Sequence, residues 1–190
     1  RHLRVTDRFD NEKISQMSRI NYNLSHIRAI IFDVDGVLSP SVMPLDSDGR
    51  PQRLVNVKDA YAIRLALKKG LRIAIISGGE DKRLHTALTR LGISDIIMGC
   101  ADKESALLSF LETYGLTPGE AAMAGDDIPD IPAMKIAGLS IAPADASHDV
   151  RDFATYISRI NGGSGVAREI IEEILRAKNL WLNEKDDYLW

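Results

Sequence analysis

The sequence has little cysteine and no strong excess of charge of either sign. Cys100 is its single cysteine, so no disulfide can form within the chain. Without a second cysteine or a cluster of histidines, Cys100 is a poor zinc ligand, and we expect it to be a small core residue. Lysine and arginine total 24 against 27 aspartates and glutamates, and the basic residues are dispersed. Nothing therefore indicates a basic face that would bind the phosphate backbone of nucleic acid.

Long apolar stretches are also missing. No run approaches the roughly 20 residues that span a bilayer, and no short apolar segment follows a basic start. We therefore expect a soluble, cytoplasmic chain with a small-molecule partner rather than nucleic acid or a membrane. The 190 residues, 45% of them hydrophobic, are enough for one sizeable core and favour one main domain.

Short apolar runs alternate with helical patterns from about Ile27 onwards. Continuous apolarity within each run is typical of strands covered on both faces, and each intervening helical segment ends at a glycine that could cap it. The pattern predicts an α/β three-layer sandwich with a central parallel sheet. The predicted strands are 28–32, 71–76, 94–98, 121–125, 139–142 and 155–158.

Three parts of the chain depart from this regular alternation. Residues 39–57 carry a turn signal at Asp48-Gly49 and predict a small β-hairpin beside the end of the first strand. Residues 1–26 are polar with scattered apolar positions, and we expect an N-terminal extension. Residues 178–190 place two tryptophans among charges and are expected to form a C-terminal tail. The domain proper is then 27–177.

Polar residues follow several of the predicted strands at the point where each ends. Asp33 and Asp35 follow the first run, Ser77 follows the second, and Asp126 follows the fourth, while Lys103 begins a helical segment. Ligands of open parallel sheets collect at the carboxyl ends of the strands, so these groups are expected to share one site. Carboxylates suit a divalent metal, and a hydroxyl with a lysine suits a phosphate.

The spacing of Asp33 and Asp35 has a chemical reason. In an extended segment these positions point to the same side, so both carboxylates are expected to face one cavity. Close like charges repel unless a cation neutralises them, and Mg²⁺ held by Asp33 and Asp126 would do so. Any one of these aspartates could instead be a helix cap or turn residue, and their shared position argues for the site.

The motifs "DVDGV", "IISGG", Lys103 and "GDDIPD" together resemble the haloacid dehalogenase superfamily of phosphatases. The resemblance implies a Rossmann-like fold in which Asp33 attacks phosphorus and forms an aspartyl-phosphate, while Asp35 acts as general acid and then as general base. It also implies Mg²⁺ held by Asp33, the main-chain carbonyl of Asp35 and Asp126. Ser77 and Lys103 would hold the phosphoryl group. The roles of Asp127 and Asp130 stay open.

A closer resemblance, covering residues 22–177, is to the 3-deoxy-D-manno-octulosonate 8-phosphate phosphatase family of lipopolysaccharide sugar synthesis. It is carried by "FDVDGVLS", "VNVKDAYAIR", "GDDIPD" and "GGSGVARE", and by a short hairpin in place of a cap domain. The resemblance implies a homotetramer in which the glycine-rich segment (residues 161–165) reaches a neighbour's site. The implied substrate-binding residues are Asn56, Val57, Lys58, Asp59, Ala60, Arg64 and Gly78.

This chain differs from the family pattern near the second motif. Gly79 and Glu80 stand where that pattern has an arginine, Ala87 stands where it has another, and Ala60 replaces a glycine. Two anion contacts are therefore missing. A related nonulosonate phosphate stays open as the substrate, and Lys82 and Arg83 stay open as substitutes for the missing charges.

Other classes of protein share parts of this pattern. A receiver domain of two-component signalling also gathers aspartates, a lysine and Mg²⁺ at strand ends, but it lacks Asp-x-Asp-Gly on its first strand. A mutase or phosphotransferase of the same superfamily would share every core residue. A catalytically weakened, tetrameric sugar-phosphate-binding homologue would explain the missing arginines, although the presence of both Asp33 and Asp35 argues against it.

Overall fold

The computed structural model of the protein describes residues 18–190. Most of the expected N-terminal extension, 1–17, lies outside the described residues. In its remaining part, Ile20 and Leu24 are buried against the core of the domain. None of the helices within 18–190 is both long and apolar enough to cross a membrane.

Six parallel strands form one sheet, with the spatial order β3-β2-β1-β4-β5-β6. This order places β1 and β4 side by side at the centre, where the connections change direction along the sheet. Such a switch point opens a crevice at the carboxyl ends of the two strands. The strands are β1 (Ala29–Phe32), β2 (Arg72–Ile76), β3 (Asp95–Ile97), β4 (Ala121–Ala124), β5 (Leu139–Ala142) and β6 (Tyr156–Ile157).

Helices cover both faces of the sheet. Along β1 the side chains alternate between the two layers, with Ile30 and Phe32 in one core and Ala29 and Ile31 in the other. The first core packs α1, α2 and α6, and the second packs α3, α4 and α5. The predicted three-layer sandwich is confirmed, without a separate cap domain in 18–190. The helices are α1 (Val57–Lys68), α2 (Lys82–Arg90), α3 (Lys103–Tyr114), α4 (Ile131–Ile136), α5 (His148–Phe153) and α6 (Val166–Ala177).

Three of the four glycines expected to follow helices do so in the left-handed conformation. Gly70, Gly92 and Gly115 have φ values of +86°, +102° and +59° after α1, α2 and α3. The prediction is wrong for Gly138, which does not have a positive φ. A Cβ atom there would lie 2.3 Å from the Tyr22 hydroxyl oxygen, so close packing rather than helix capping explains this glycine.

The hairpin (residues 39–57) folds back on itself with little regular pairing. Asp46 and Arg50 are joined by a backbone hydrogen bond across the predicted turn, and Leu45 and Pro51 form a single antiparallel bridge. The returning arm is fixed to the end of β1, because the Leu54 amide donates to the Ser39 hydroxyl at 2.9 Å. This contact brings the returning arm over the carboxyl ends of β1 and β2.

The C-terminal tail (residues 178–190) packs against α1. Asp187 is buried and accepts hydrogen bonds from Lys68 and Lys69, while Trp190 stacks on the ring of Tyr61. The Arg64 guanidinium lies 5.3 Å from the centre of a Trp190 ring. The tail therefore covers the outer face of α1.

Candidate active site

Asp33 and Asp126 are brought together by the register of the central strands. Phe32 at the end of β1 pairs with Ala124 at the end of β4, and the Asp33 amide donates to the Ala124 carbonyl at 3.0 Å. Gly36 is essential to this approach, because a Cβ at that position would lie 1.9 Å from an Asp126 carboxylate oxygen. The glycine of "DVDG" therefore allows the loop after β1 to lie directly against Asp126.

The carboxylates of Asp33, Asp126 and Asp130 form a compact cluster, in which one oxygen of each lies within 4.8 Å of the others. Burial and the charge of Asp130 raise the pKa of Asp33 to about 6, although Lys103 opposes this shift. Burial and the neighbouring carboxylates of Asp130 and Asp33 also raise the pKa of Asp126 to about 7. Such mutual repulsion is what a bound cation relieves, and oxygen donors suit Mg²⁺.

The sequence did not assign Asp130, although it lies within "GDDIPD". One of its oxygens accepts hydrogen bonds from the amides of Asp126 and Asp127, at 2.9 and 3.3 Å. Its other oxygen accepts from Lys103 at 2.5 Å. Asp130 thus closes the turn after β4 and also holds the lysine, whereas the Asp127 side chain is exposed.

Lys103 is a buried ammonium group at the first position of α3. Asp102 caps this helix, and the Lys103 Nζ donates to Asp33 at 2.8 Å as well as to Asp130. Burial opposes the charged form of this lysine, but the two carboxylates outweigh burial and raise the pKa of Lys103. The ammonium group therefore stays charged beside Asp33.

Ser77 follows β2 and is 98% buried, with 2% of its surface exposed. Its carbonyl accepts from the Cys100 amide at 2.9 Å, and its hydroxyl accepts from the Gly79 amide at 3.3 Å. Gly78 lies between these two residues, at the same edge of the sheet. Cys100 is partly buried and packs against the core that contains α3, as expected for a small apolar residue.

Asp35 has a different partner from Asp33. Both oxygens of Asp35 accept hydrogen bonds from Arg53 of the hairpin, each at 2.8 Å, in a bidentate pair. The Arg53 side chain is only 7% exposed. Sequence analysis missed Arg53, because nothing in the pattern of residues 39–57 indicates which side chain of the hairpin turns towards the sheet.

The glycine-rich segment packs on the loop that follows Asp35 in the same chain. A Cβ at Gly162 would lie 1.9 Å from the Gly36 carbonyl oxygen, and one at Gly163 would lie 2.5 Å from the ring of Pro40. The Gly163 amide also donates to the Val37 carbonyl at 2.8 Å. Close contact within the chain thus accounts for these glycines, while a reach into a neighbour stays a prediction.

The predicted substrate-binding residues at the start of α1 differ in their exposure and in their contacts. Asn56 caps α1 and also donates to the Gly163 carbonyl at 3.2 Å, near the loop after β1. Asp59 is buried and accepts from the Arg168 amide at the start of α6. Val57 and Lys58 are exposed beside the hairpin, and Ala60 is buried.

Arg64 lies two turns along α1 from Asn56 and contacts Trp190 of the tail. The structure therefore places Arg64 away from the carboxylate cluster within this chain. Its role, like those of the other substrate-binding residues, stays a prediction.

A cavity of about 680 Å³ lies beside the Asp35–Arg53 pair. It is lined by Arg50, Pro51 and Arg53 of the hairpin and by residues 80–83 between β2 and the first turn of α2. Four of these lining residues are basic and two are acidic. Its volume and charge suit a small, highly polar anionic molecule.

Comparisons with known proteins agree with this geometry. The sequence model of the haloacid dehalogenase-like hydrolases matches residues 82–170. The 3-deoxy-D-manno-octulosonate 8-phosphate phosphatase of Escherichia coli is 38% identical over 153 residues, which are 80% of this chain and 81% of that protein.

Solved structures show the same likeness. The phosphatase of the same name from Yersinia pestis has a TM-score of 0.81 and 36% identity, covering 85% of this chain and 87% of its own. Its counterpart from Moraxella catarrhalis, solved in complex with a magnesium ion, a phosphate ion and a KDO molecule, has a TM-score of 0.78 and 33% identity. That match covers 83% of this chain and 90% of the other. The resemblance inferred from the motifs is confirmed: this chain belongs to the 3-deoxy-D-manno-octulosonate 8-phosphate phosphatase family of haloacid dehalogenase-like hydrolases.

Proposed function

We propose that this phosphatase hydrolyses a small phosphorylated sugar acid with Mg²⁺ as cofactor, and that its substrate is 3-deoxy-D-manno-octulosonate 8-phosphate. The observation that carries the proposal is the convergence of Asp33, Asp126 and Lys103 at the carboxyl ends of the two central strands. The names of the relatives, and the Moraxella catarrhalis complex, support the choice of substrate and metal.

The proposed metal site consists of Asp33, Asp126 and the main-chain carbonyl of Asp35. The clustered carboxylates fit this assignment, since burial and mutual repulsion raise the pKa values of Asp33 and Asp126, and a bound cation would oppose both effects. When bound, Mg²⁺ supplies charge neutralisation at the carboxylates and at the phosphoryl oxygens. Asp130 fixes the turn that carries Asp126 and joins Lys103 to the cluster.

The chemistry begins with a carboxylate oxygen of Asp33. It forms a bond to phosphorus while the bond from phosphorus to the ester oxygen breaks, and Asp35 gives a proton to the departing alkoxide. Asp35 then takes a proton from water, whose oxygen attacks phosphorus and releases phosphate and Asp33. Lys103 and Ser77 hold the phosphoryl oxygens, where positioning and charge stabilisation provide most of the catalytic effect.

The assembly that we propose is a homotetramer formed through the hairpin. Large apolar side chains of the hairpin are exposed and lie in a segment too small to bury them itself. A neighbour would then complete the substrate site, which no cap domain closes within residues 18–190. The exposed residues are Val42, Leu45, Leu54, Val55 and Val57. A cytoplasmic location stays a prediction from the sequence.

The test is release of inorganic phosphate from a panel of esters, with and without Mg²⁺. The panel holds the octulosonate 8-phosphate, a nine-carbon nonulosonate 9-phosphate and p-nitrophenyl phosphate. We expect Asp33→Asn to abolish release, by at least about 1000-fold, because the nucleophile is lost. Asp35→Asn should lose turnover but still bind Mg²⁺, because its side chain is not a ligand. Full activity of Asp33→Asn would rule out the mechanism.

The same panel decides the substrate. This chain has Gly79 and Ala87 at positions where the family pattern has arginines. The absence of these two arginines favours the nonulosonate phosphate as the second candidate substrate. Much faster cleavage of that ester would replace the octulosonate assignment and leave the phosphatase assignment intact. Sugar-phosphate binding without any release of phosphate would favour a weakened homologue.

A further inference from the structure

Arg53 lies between the carboxylate cluster and the basic cavity. Its Nε and Nη2 donate to the two oxygens of Asp35, and its Nη1 lies 3.8 Å from an Asp81 oxygen, too far for a hydrogen bond. A guanidinium carries five N–H groups, so three of them have no hydrogen-bond partner within residues 18–190. Arg53 also lines the cavity. Arg53 is therefore a cation with N–H groups that are free to bind a ligand in the cavity.

Gly79 makes room for this guanidinium. A Cβ at Gly79 would lie 2.1 Å from the Arg53 Nη2 and 3.3 Å from an Asp35 oxygen. Even alanine would therefore displace the guanidinium from its present position. Gly79, at the position where the family pattern has an arginine, thus leaves space for Arg53 of the hairpin.

Few other cations lie this close to the reaction centre. Lys103 is already shared by Asp33 and Asp130. Arg83 is 80% exposed at its side chain, where it pairs with Asp46, so it is not held towards the cluster. Among the described residues near the Asp35 carboxylate, Arg53 is the basic side chain that is both buried and fixed in orientation.

We propose that Arg53 is a substrate-binding residue that replaces the arginines missing near positions 79 and 87, and that Gly79 is required for its placement. One edge of the guanidinium holds Asp35, and its free N–H groups bind an anionic group of the substrate. That group is a phosphoryl or carboxylate oxygen, since both accept bidentate hydrogen bonds from arginine. The inference rests on the proposed function and names the residue that recognises the anion.

The experiment measures kcat and KM of Arg53→Ala, Arg53→Lys, Gly79→Ala and the double variant Arg53→Ala/Gly79→Ala. Loss of a charge-assisted pair is expected to raise KM for the sugar acid phosphate roughly 10- to 100-fold in Arg53→Ala. Gly79→Ala should raise KM in the same way, and Arg53→Lys should fall between the wild type and Arg53→Ala. In the double variant the increase should match that of Arg53→Ala alone, because both changes remove one interaction.

Arg90→Ala is the matched control. Arg90 is an exposed arginine at the end of α2, without a salt bridge among the described residues, so its loss should leave KM unchanged. Thermal melts of all variants show whether each is folded. A rise in KM for p-nitrophenyl phosphate as well indicates a phosphoryl contact, and a rise for the sugar acid phosphate alone indicates a carboxylate contact. Both results support the proposal.

Two kinetic results would overturn it. The first is an unchanged KM with a lower kcat in Arg53→Ala, which would mean that Arg53 acts on Asp35 alone. The second is a KM increase in the double variant equal to the product of the single increases.

If the wild type hydrolyses no ester, the proposed function fails by itself. Calorimetric titration of the Mg²⁺-loaded protein with the free sugar acid and with inorganic phosphate then decides the role of Arg53. Binding that is weakened by Arg53→Ala supports the role. Binding that is equal in the wild type and in Arg53→Ala, or absent from both, rules out this role of Arg53.

Discussion

Asp59 is a buried carboxylate in which only one of the two oxygens accepts a hydrogen bond. It is 3% exposed, and one oxygen accepts from the Arg168 amide at 2.8 Å, at the start of α6. The other oxygen has no partner among the described residues. Burial therefore raises the pKa of Asp59 to about 6, although Arg168 opposes the shift. A charged Asp59 at neutral pH costs the folded state free energy.

The sign of this cost gives a prediction. Because the pKa of Asp59 is higher in the folded state, the folded chain binds more protons between about pH 4 and pH 6, and the free energy of unfolding falls as pH rises through that window. The neutral variant Asp59→Asn keeps the acceptor for Arg168. It should match the wild type near pH 4 and be more stable at pH 7, by at most about 3 kcal/mol.

Urea unfolding at several pH values measures this difference. Asp33 and Asp126 also have raised pKa values, but they are present in both proteins and cancel in the comparison. Asp48→Asn, at the exposed hairpin turn, is the control and should show no such trend. A difference between Asp59→Asn and wild type that does not change with pH would contradict the interpretation.

The residues of the site differ in how far the sequence predicts their positions. Asp33, Ser77 and Asp126 follow strands, and the geometry of a parallel sheet brings strand ends to one edge whatever the loops do. Arg53 and Asp130 reach the site through a hairpin and a turn. Their directions depend on contacts such as that of Leu54 with Ser39, which no local pattern encodes.

At the scale of single elements, the tail is attached to α1 by a buried ion cluster. Burial alone would raise the pKa of Asp187, but hydrogen bonds from Lys69 and Lys68 outweigh it and lower that pKa to about 2. The neighbouring Asp186 is exposed. Asp187 therefore holds the tail against α1, while the neighbouring Asp186 faces solvent.

We predict that Asp187→Asn releases the tail and that Asp186→Asn does not. Removing the buried charge leaves Lys69 with only the exposed Glu184, at 3.3 Å, as an ion-pair partner, so the melting temperature should fall. Trypsin should also cut faster at Lys185, as measured by mass spectrometry of timed digests. Equal digestion rates of the two variants would show that Asp187 does not hold the tail.

The regular elements were predictable because their patterns are local. All six strands were expected within one residue of their observed bounds, since each is a short apolar run. The short α5 was missed, because Val150 is its single buried residue and its sequence therefore shows no apolar face. The docking of the tail was also missed, since its charges indicate a solvated segment until the lysines of α1 are placed beside it.

At the scale of the whole molecule, the hairpin leaves an apolar surface uncovered. Val42 is 87% exposed, Leu45 64% and Val57 72%. We predict a homotetramer at micromolar concentration, measured by light scattering, and Val42→Asp/Leu45→Asp should reduce its mass. Leu108→Asp is the control, because Leu108 is 47% exposed on α3, away from the hairpin. A monomeric wild type would contradict the assembly.

The central position of β1 has a consequence for how the chain folds as it is synthesised. The partners of β1 are distant in sequence: Ala29 pairs with Arg72 on one side and with Ala121 on the other. At about 5 to 20 residues added per second, a ribosome makes Asp33 roughly 5 to 19 seconds before Asp126. Until β2 is made β1 lacks both neighbours, and until β4 is made it still lacks one, so Asp33 cannot yet meet the carboxylates of Asp126 and Asp130.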